Sequence, residues 1–322
     1  LSANGTIFTY EQEAVIPGLL KRWYAERKEM QQKMRDCGDN EIEKEYWDKR
    51  QLVKKINLNS LYGAILNPGC RFFDIRIGQS VTLTGRCITK HMASKVNEIV
   101  AGKYDHLGES IVYGDTDSVY FSAFKTLQKE IQDNVIQWTK DSVVGLYDKI
   151  AQEVNTSFTG FMSKAFHCPS TRGSVIKGGR ELVASKGLFI TKKRYAVLYY
   201  DIEGNRTDTE GKEGKMKAMG LDLKRSDTPV FVQDFLSEIL YMVLTGKNEQ
   251  EVLEHITTFR AQFKSRPGWE KGSPKRANNM TKYTEAEEKQ GRANMPGHVR
   301  ASMNWNKCRE MYGDKYSMPI TD

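Results

Sequence analysis

The stretch Ser110-Ile-Val-Tyr-Gly-Asp-Thr-Asp-Ser-Val-Tyr-Phe121 decides the local fold. Short runs of β-branched and aromatic residues flank Gly114-Asp-Thr-Asp117, which is a strand–turn–strand pattern. Asp115 and Asp117 should therefore lie at the tip of a hairpin, where solvent or a cation satisfies their charge. Mg²⁺ takes oxygen ligands and is usually held by one or two carboxylates together with substrate phosphates. The tip is a candidate metal site, and the alternative is an ordinary turn, because turns favour Asp.

A second motif, Lys55-Ile-Asn-Leu-Asn-Ser-Leu-Tyr-Gly63, precedes the hairpin. On a helix, Lys55, Asn59 and Tyr62 are spaced i, i+4 and i+7 and share one face. An ammonium, an amide and an aromatic ring on one face can hold a triphosphate with its cation and pack against a base or a sugar. The alternative is a solvated helix face with a half-buried tyrosine.

Two long helices are predicted in the first part of the chain. Residues 15–35 and 41–62 carry apolar side chains at helical spacing, although the spacing is irregular in the first of them. The intervening Asp36-Cys-Gly-Asp-Asn40 is typical of a turn. Because the connection is short, the two helices should lie antiparallel.

Weaker patterns cover the rest of the chain. A helix should end within residues 92–100, and residues 188–202 predict a strand pair in which Tyr195, Val197 and Tyr199 alternate with other side chains. Asp227-Thr-Pro229 predicts a helix start, with a capping oxygen and a proline in the first turn, and Gly246 predicts its end. The last ~75 residues are polar and basic, without clear periodicity.

Composition restricts the class of protein. The chain has 322 residues, and 39% of them are hydrophobic, which suits a folded protein. No run approaches the roughly 18 apolar residues that a membrane-spanning helix needs, so membrane-spanning proteins are excluded. The five cysteines form no Cys-x-x-Cys pair. This argues against a disulfide scaffold or a zinc ribbon and favours a reducing compartment.

The positive charge is concentrated in two blocks. The whole chain has 49 basic and 41 acidic residues, a net charge of +8. Residues 171–225 hold 13 basic against 7 acidic residues, and residues 260–309 hold 12 against 4. Between them, residues 226–259 hold 1 basic and 6 acidic residues. Separate basic blocks indicate a polyanionic partner such as nucleic acid, and the alternative is a lysine-rich solvated surface.

Together the two motifs resemble motifs B and C of the family B DNA-directed DNA polymerases. Lys193-Arg-Tyr195 resembles the family's Lys-x-Tyr element along the primer strand. Lys217-Ala-Met-Gly-Leu-Asp222 and Arg225-Ser-Asp-Thr-Pro229 resemble the segment that leads from the palm into the thumb. Asn4-Gly5 and residues 19–27 resemble the start of the fingers. The order and spacing are most similar to T4-type bacteriophage replicative polymerases.

The resemblance implies an α+β fold with the right-hand polymerase architecture. Its parts are an antiparallel palm sheet, two-helix fingers and a mainly helical thumb. The fingers should span residues 1–63, with a short palm edge at the start, and the palm residues 64–225. The thumb should span residues 226–322 and be incomplete at its C-terminal end.

The resemblance also implies template-directed DNA synthesis from dNTPs on primer–template DNA, with two Mg²⁺ ions. Asp117 matches the carboxylate that binds metal directly, and Asp115 matches its supporting neighbour. Glu181 matches an acidic palm residue near the metals. Lys55 matches the family lysine that contacts the triphosphate. The implied catalytic residues are therefore Asp117, Asp115 and Lys55. The implied nucleotide-binding residues are Arg27, Lys55, Asn59, Tyr62 and Gly63, and the implied DNA-binding residues are Lys193, Arg194, Tyr195, Lys217 and Arg225.

The sequence departs from the family pattern in two places, and these affect the expected phosphate binding and the expected activity. Gln31 occupies a position where the family usually has lysine, so either Lys28 or Lys33 covers that role or phosphate binding is weaker. Motif A, an Asp followed by Ser-Leu-Tyr-Pro-Ser, and the acidic exonuclease motifs do not occur in the sequence. The chain is therefore expected to be a natural split subunit or a partial sequence. It should be inactive without an N-terminal part that carries motif A and the exonuclease domain.

Further partners and alternatives follow from the resemblance. A sliding clamp is a further expected partner, and the host cytoplasm, within a viral replication complex, is the expected location. The alternative function is a non-catalytic DNA-binding subunit with a retained polymerase fold, although such a subunit should have lost Lys55 or Asp117. A reverse transcriptase or an RNA polymerase is disfavoured, because its turn would read Tyr-x-Asp-Asp or Gly-Asp-Asp.

Overall fold

The structure is a computed structural model that describes residues 1–209, 211–278, 280–290 and 295–313, without the side chains of residues 286–290. The chain divides into two compact units, Leu1–Glu181 and Leu182–Asp322. Helices combine with antiparallel strand pairs in both units, which confirms the predicted α+β class. No helix in these described ranges is both long and apolar enough to span a membrane.

The first unit is mainly helical and contains one hairpin. Its elements are α1 (Val15–Asp36), α2 (Glu41–Ile65), α3 (Ile75–Ala101), β1 (Ile111–Asp115), β2 (Ser118–Phe121), α4 (Gln128–Gln132), α5 (Lys140–Phe166) and α6 (Ser170–Gly173).

The second unit contains a four-stranded sheet followed by helices. Its strands are β3 (Leu182–Thr191), β4 (Arg194–Ile202), β5 (Asn205–Arg206) and β6 (Lys215–Met219), followed by a 3₁₀ turn, Asp222–Lys224. Its helices are α7 (Val230–Thr245), α8 (Glu249–Ser265), α9 (Gly268–Lys271), α10 (Met280–Gln290) and α11 (Gly297–Tyr312).

Helices α1 and α2 form the predicted antiparallel pair. The Asn40 side chain caps α2 by accepting a hydrogen bond from the backbone N–H of Glu43 at 3.2 Å. The Lys33 ammonium lies 4.8 Å from the Trp47 ring centroid, and Lys54 pairs with Glu26. Contact positions therefore rise along one helix as they fall along the other, as an antiparallel arrangement requires. Helix α2 continues to residue 65, three residues beyond the predicted end.

Helices α3 and α5 form the core of the first unit against the hairpin. Val96 packs with Ile150, Val154 and Phe158, which lie four residues apart along α5 and form one apolar stripe. Only the end of α3 was predicted. Its first half contains glycine, serine and threonine at positions where an amphipathic helix usually has apolar side chains, so the helical period is hidden in the sequence.

A buried histidine joins α3 to α5. His91 is 8% exposed, and its ring stacks on that of Phe161 with centroids 4.1 Å apart. Its Nδ1 lies 2.7 Å from the Tyr104 hydroxyl, and its Nε2 lies 2.9 Å from Ser157 Oγ. Burial lowers the pKa of His91 below its ordinary value of 6.5, the Lys95 ammonium lowers it further, and Glu98 opposes the shift.

This lowered pKa makes the free energy of unfolding depend on pH. An unfolded histidine takes up a proton near pH 6.5, whereas folded His91 resists protonation, so this contribution to stability should be complete above that pH and be lost as the pH falls below it. We expect His91→Gln to flatten this pH dependence of the free energy of unfolding, measured by urea denaturation above and below pH 6.5. The matched control is His298→Gln at an exposed position. An equal pH dependence in wild type and His91→Gln would assign the effect to other groups.

The sheet of the second unit is built around β4. Strand β4 pairs antiparallel with β3 and β5, and also with β6. The strand pair predicted over residues 188–202 is confirmed, and β4 is buried on both of its faces. Ala196 and Leu198 are fully buried in the core, which includes Leu221 and Leu244, while Tyr195 and Val197 on the other face are also buried. Central strands buried on both faces lose the alternating pattern.

Helix α7 begins one residue later than the sequence indicates. Pro229 occupies the N-cap position rather than the first turn, and no side-chain oxygen caps the helix. Asp227 instead forms ion pairs with Arg225 at 2.9 Å and with Lys275 at 2.5 Å, which explains why its carboxylate does not cap. Gly246, with φ 80°, ends the helix as predicted.

The region predicted to be a mainly helical thumb is helical over most of its described part. Helix α8 starts with a capping box between Asn248 and Glu251, a signal that the polar sequence contains but that weak apolar periodicity obscures. The C-terminal end of the predicted thumb, residues 314–322, lies outside the described residues.

Candidate active site

The hairpin that carries the two carboxylates has the predicted form. Strands β1 and β2 pair antiparallel with Asp115 opposite Ser118, so Thr116 and Asp117 make a two-residue turn. Thr116 has φ 46°, in the left-handed region that β-branched residues disfavour. In the described part of the chain this hairpin is a two-stranded sheet of its own, separate from the sheet around β4. The resemblance implies one antiparallel palm sheet, whereas the described strands of residues 64–225 form two sheets.

The two carboxylates of the turn have different surroundings. Asp115 is half-buried and accepts a hydrogen bond from the Thr116 hydroxyl at 3.1 Å. Ser118 Oγ donates to the Asp115 backbone carbonyl at 3.2 Å, which ties the second strand to the turn. Asp117 is exposed, and across the described ranges it has no ion pair or hydrogen bond through its carboxylate. Asp115 is therefore held in place, while the Asp117 carboxylate faces solvent.

The donor chemistry of the turn suits a hard divalent cation. Two carboxylates at one turn are the number that usually holds Mg²⁺ together with substrate phosphates. No group of three or more His, Cys, Asp or Glu residues is placed to hold a metal ion within the residues that the structure describes. Asp115, Asp117 and Glu181 accordingly do not form such a group. Glu181 is exposed at the end of the first unit, next to Arg180, which pairs with Asp148 at 2.6 Å.

Helix α2 presents the predicted polar face. Lys55 and Asn59 are exposed, and Tyr62 is half-buried with its hydroxyl donating to the Gly78 carbonyl at 3.3 Å. The neighbouring Lys54 points differently, because it pairs with Glu26 on α1 and its side chain is 23% exposed. Lys55 has no ion-pair partner among the residues described. Of the two adjacent lysines, Lys54 links α2 to α1 through its ion pair, whereas the Lys55 ammonium is exposed to solvent.

Arg27 of α1 contacts α2 near this face. Its side chain is half-buried, and its Nε donates to Gln51 Oε1 on α2 at 3.2 Å. Gln51 and Lys55 are four residues apart on α2, so these two side chains share one face of that helix. Arg27 therefore contacts α2 one helical turn before Lys55.

The surroundings of Lys28 and Lys33 differ. These are the two candidates to replace the lysine that the family usually has at the position of Gln31. Lys33 pairs with Glu29 at 2.7 Å and also lies over the Trp47 ring, so its charge is already used. Lys28 is exposed, with its ammonium 5.5 Å from the Tyr24 ring centroid. Lys28 is the better candidate for an additional phosphate contact.

The Lys-x-Tyr element in the second unit begins in the turn of the strand pair. Lys192 and Lys193 form a two-residue turn between β3 and β4, and Lys193 has φ 63°. Arg194 begins β4, and its guanidinium nitrogen lies 3.7 Å from a carboxylate oxygen of Asp222. Tyr195 is buried and stacks on Phe189 with centroids 5.5 Å apart. Lys193 therefore lies in the turn that joins the two strands.

The Lys193 turn is tightly packed against Gly220. Gly220 has φ 63°, and a Cβ at this position would lie 2.0 Å from the Lys193 carbonyl oxygen. Only glycine permits both this backbone conformation and this approach. The residues that follow Gly220 lead to Asp222 and Arg225, so the family-like segment over 217–225 touches the Lys-x-Tyr turn directly.

Gly220→Ala should destabilise the second unit by about 2 kcal/mol or more, because it adds both a strained φ and a steric overlap with backbone. Gly204→Ala is the matched control, since Gly204 has φ 86° but nothing within 4 Å of a Cβ, and it should show only the conformational cost. Urea denaturation measures both free energies of unfolding. Equal effects of the two variants would show that the contact with Lys193 contributes nothing.

Sequence reasoning missed an ion-pair network beside this element. Asp227 accepts from Arg225 and Lys275, and Arg225 also lies 3.9 Å from Asp222. The hydrogen bonds from Arg225 and then Lys275 lower the pKa of Asp227 well below its usual range. Arg225, Lys275 and Arg276 line an open cavity. The Arg-x-Asp spacing was visible, but Lys275 is 48 residues away from Asp227 and could not be paired with it from sequence.

Lys217 completes the set of predicted DNA-binding residues. It lies on β6 opposite Val197 and is half-buried. The second unit thus places Lys193, Arg194, Lys217 and Arg225 on β4, β6 and the segments that adjoin them.

The family model for DNA polymerase family B matches residues 2–268. The chain is 31% identical to the DNA-directed DNA polymerase of Escherichia phage RB69 over 270 residues, 80% of this chain and 29% of that protein. It is 30% identical to the DNA-directed DNA polymerase of Enterobacteria phage T4 over 252 residues, 72% of this chain and 26% of that protein. The DNA polymerase delta catalytic subunit of Oryza sativa subsp. japonica is 27% identical over 247 residues, 76% of this chain and 19% of that subunit. The chain spans less than a third of the length of these curated relatives.

Proposed function

Because the chain belongs to DNA polymerase family B, we propose that it supplies part of the active site for template-directed DNA synthesis. The proposed reaction transfers a nucleotide from a dNTP to the 3′-hydroxyl of a primer. The observation that carries this proposal is the exposed Asp117 carboxylate on a strained two-residue turn, beside the hydrogen-bonded Asp115. A second observation supports it: Lys55 is exposed on α2, and Arg27 of α1 contacts α2 at Gln51, one helical turn before Lys55.

Asp117 and Asp115 are the proposed ligands for Mg²⁺. When bound there, such ions would stabilise both the attacking and the leaving oxygen of the transfer. The oxygen donors of the turn fit this ion, and Thr116 and Ser118 restrict how the turn can move. Glu181 remains a predicted third acidic residue, which the described geometry does not join to the turn.

Lys55 and Arg27 are the proposed cations for the triphosphate. Their charge would offset the negative charge that develops on the leaving pyrophosphate. Asn59 and Tyr62, on the same face of α2, would lie against the incoming nucleotide and the nascent base pair, and Gly63 would allow the backbone to approach. The hydrogen bond from Tyr62 to Gly78 gives this ring a fixed position against α3.

Two-metal transfer needs a further carboxylate, which we propose is the motif A aspartate of another protein part. The isolated chain should therefore bind primer–template DNA and extend primers negligibly. Mixing it with an N-terminal part that carries motif A and the exonuclease domain should restore Mg²⁺-dependent extension. Robust extension by the isolated chain would show that this sequence contains its own replacement for motif A.

We propose the following assignment of regions: residues 1–63 as fingers, 64–225 as palm and 226–322 as thumb. The helix pair α1–α2 supports the first assignment, and the helices after residue 229 support the third. The boundary between the two compact units, after residue 181, falls inside the proposed palm. Phage relatives support a role in a replication complex in an infected host cell, where a sliding clamp is a further proposed partner.

Primer–template DNA is the proposed partner of Lys193, Arg194, Tyr195, Lys217 and Arg225. Each neutralised phosphate contributes about −0.9 to the slope of log K against log salt for duplex DNA. Lys193→Ala and Arg194→Ala should each make the slope less negative by about 0.9, with little dependence on the DNA sequence. The matched control is Lys247→Ala in the acidic block, where Lys247 pairs with Glu251. An affinity that barely changes with salt would show that the basic blocks are only a solvated surface.

The second candidate function is a non-catalytic DNA-binding subunit. The basic residues around β4 would suit it, and such a subunit requires neither Lys55 nor Asp117. Both are retained and exposed, which favours the catalytic proposal. Salt-dependent DNA binding without any extension, whichever N-terminal part is supplied, would favour the subunit.

A further inference from the structure

Thr116 links the two carboxylates of the hairpin turn and occupies an unfavourable conformation. Its φ is 46°, which a β-branched residue adopts only when its surroundings enforce it. Its hydroxyl donates to Asp115 Oδ1 at 3.1 Å. The orientation of Thr116 therefore affects Asp115 through the side chain and Asp117 through the next peptide bond.

Helix α3 provides a contact that holds this residue. Thr89 Oγ1 donates to the Thr116 backbone carbonyl at 2.8 Å. The other acceptor near this hydroxyl is the Gly85 carbonyl, one turn earlier on α3, at 3.1 Å. The hydroxyl has a single proton, and the Thr116 carbonyl is the nearer of the two acceptors.

The same helix also fixes the base of the hairpin. Asn97 is 1% exposed, and its Oδ1 accepts from the backbone N–H of Ser110 at 3.2 Å and from the Ser110 hydroxyl at 2.6 Å. Ser110 immediately precedes β1. Two side chains of α3, eight residues apart, thus hold the hairpin at its start and at its tip.

The tip contact determines the direction of Asp117. A peptide unit is planar, so fixing the Thr116 carbonyl also fixes the N–Cα bond of Asp117. The carboxylate of Asp117 has no hydrogen bond or ion pair in the described ranges, so its backbone alone sets its starting direction. We infer that Thr89 is a positioning residue for Asp117, an inference that rests on the proposed role of Asp117 as a metal ligand.

Thr89→Val tests this directly, because valine keeps the shape and the β-branch but removes the hydroxyl. We expect hydrogen–deuterium exchange in the segment 111–121 to rise about fivefold, the change expected for the loss of one hydrogen bond. Mn²⁺ affinity, measured by calorimetry with the metal alone, should weaken by a similar factor. Thr89→Ser retains the hydroxyl and should restore both values.

Thr82→Val is the matched control on the same helix. Within the part of the chain that the structure describes, Thr82 Oγ1 donates only to α3 carbonyls, those of Gly78 and Gln79 at 3.2 Å each, so the hairpin should exchange as in the wild type. Unchanged exchange of segment 111–121 in Thr89→Val would overturn the inference. Faster exchange with no Mn²⁺ binding by the wild-type chain would leave the contact established and overturn the proposed metal role instead.

Discussion

Replacing Asp117 with alanine is expected to reduce DNA synthesis by about three orders of magnitude or more in the enzyme reconstituted with a motif A partner. The physical reason is the loss of a metal-binding carboxylate, since stabilising the attacking and leaving oxygens contributes several kcal/mol, and each 1.36 kcal/mol is about tenfold in rate. Asp117 is exposed at the turn, and its carboxylate makes no hydrogen bond or ion pair with any described residue, so the fold should be unaffected. Single-turnover extension of a labelled primer measures the rate.

Primer–template affinity separates this catalytic loss from a loss of binding. It should stay within about twofold of the wild type in Asp117→Ala, because the removed group is an anion and makes no favourable contact with DNA phosphate. Asp133→Ala, at an exposed aspartate after α4, is the matched control and should keep full activity. A rate for Asp117→Ala close to that of Asp133→Ala would contradict the assignment of Asp117.

Replacing Lys55 with alanine is expected to lower kcat/KM for the incoming nucleotide by about a hundredfold, from both weaker binding and slower turnover. The ammonium should attract the triphosphate before reaction and offset charge on pyrophosphate as it leaves, so it contributes to both parameters. Its exposed position without an ion-pair partner in the described chain means that little folding energy depends on it. Steady-state extension over a range of nucleotide concentrations separates kcat from KM.

Lys49→Ala provides the comparison on the same helix. Lys49 is also exposed on α2 but pairs with Glu45 at 2.7 Å, and its loss should leave nucleotide kinetics unchanged. Lys55→Arg should retain part of the activity, because it keeps the charge while changing the geometry of the donors. Equal kinetics in Lys55→Ala and Lys49→Ala would remove Lys55 from the proposed triphosphate site.

The local elements that carry the motifs were predictable from short-range patterns. The hairpin around Asp115 and Asp117 follows from β-branched and aromatic runs on each side of a turn sequence. The helix pair follows from periodic apolar residues and a five-residue connection that ends in the cap Asn40. The placement of Lys55, Asn59 and Tyr62 on one helix face follows from helical geometry alone.

Features that depend on distant contacts were not predictable. The burial of β4 on both faces results from its central position among three strands, which the alternation of Tyr195, Val197 and Tyr199 does not indicate. The turn at Lys193 depends on the approach of Gly220, and the failure of Asp227 to cap α7 depends on Lys275. The contrast between Lys54 and Lys55 required knowing where α1 lies.

The measurement that tests the central claim most directly is incorporation of a single nucleotide opposite a defined template base, with Mg²⁺ and the motif A partner present. The wild-type chain should add only the complementary nucleotide, and Asp117→Ala should add none over the same time while still binding the primer–template. Equal incorporation by Asp117→Ala, or none by the wild type, would contradict the account.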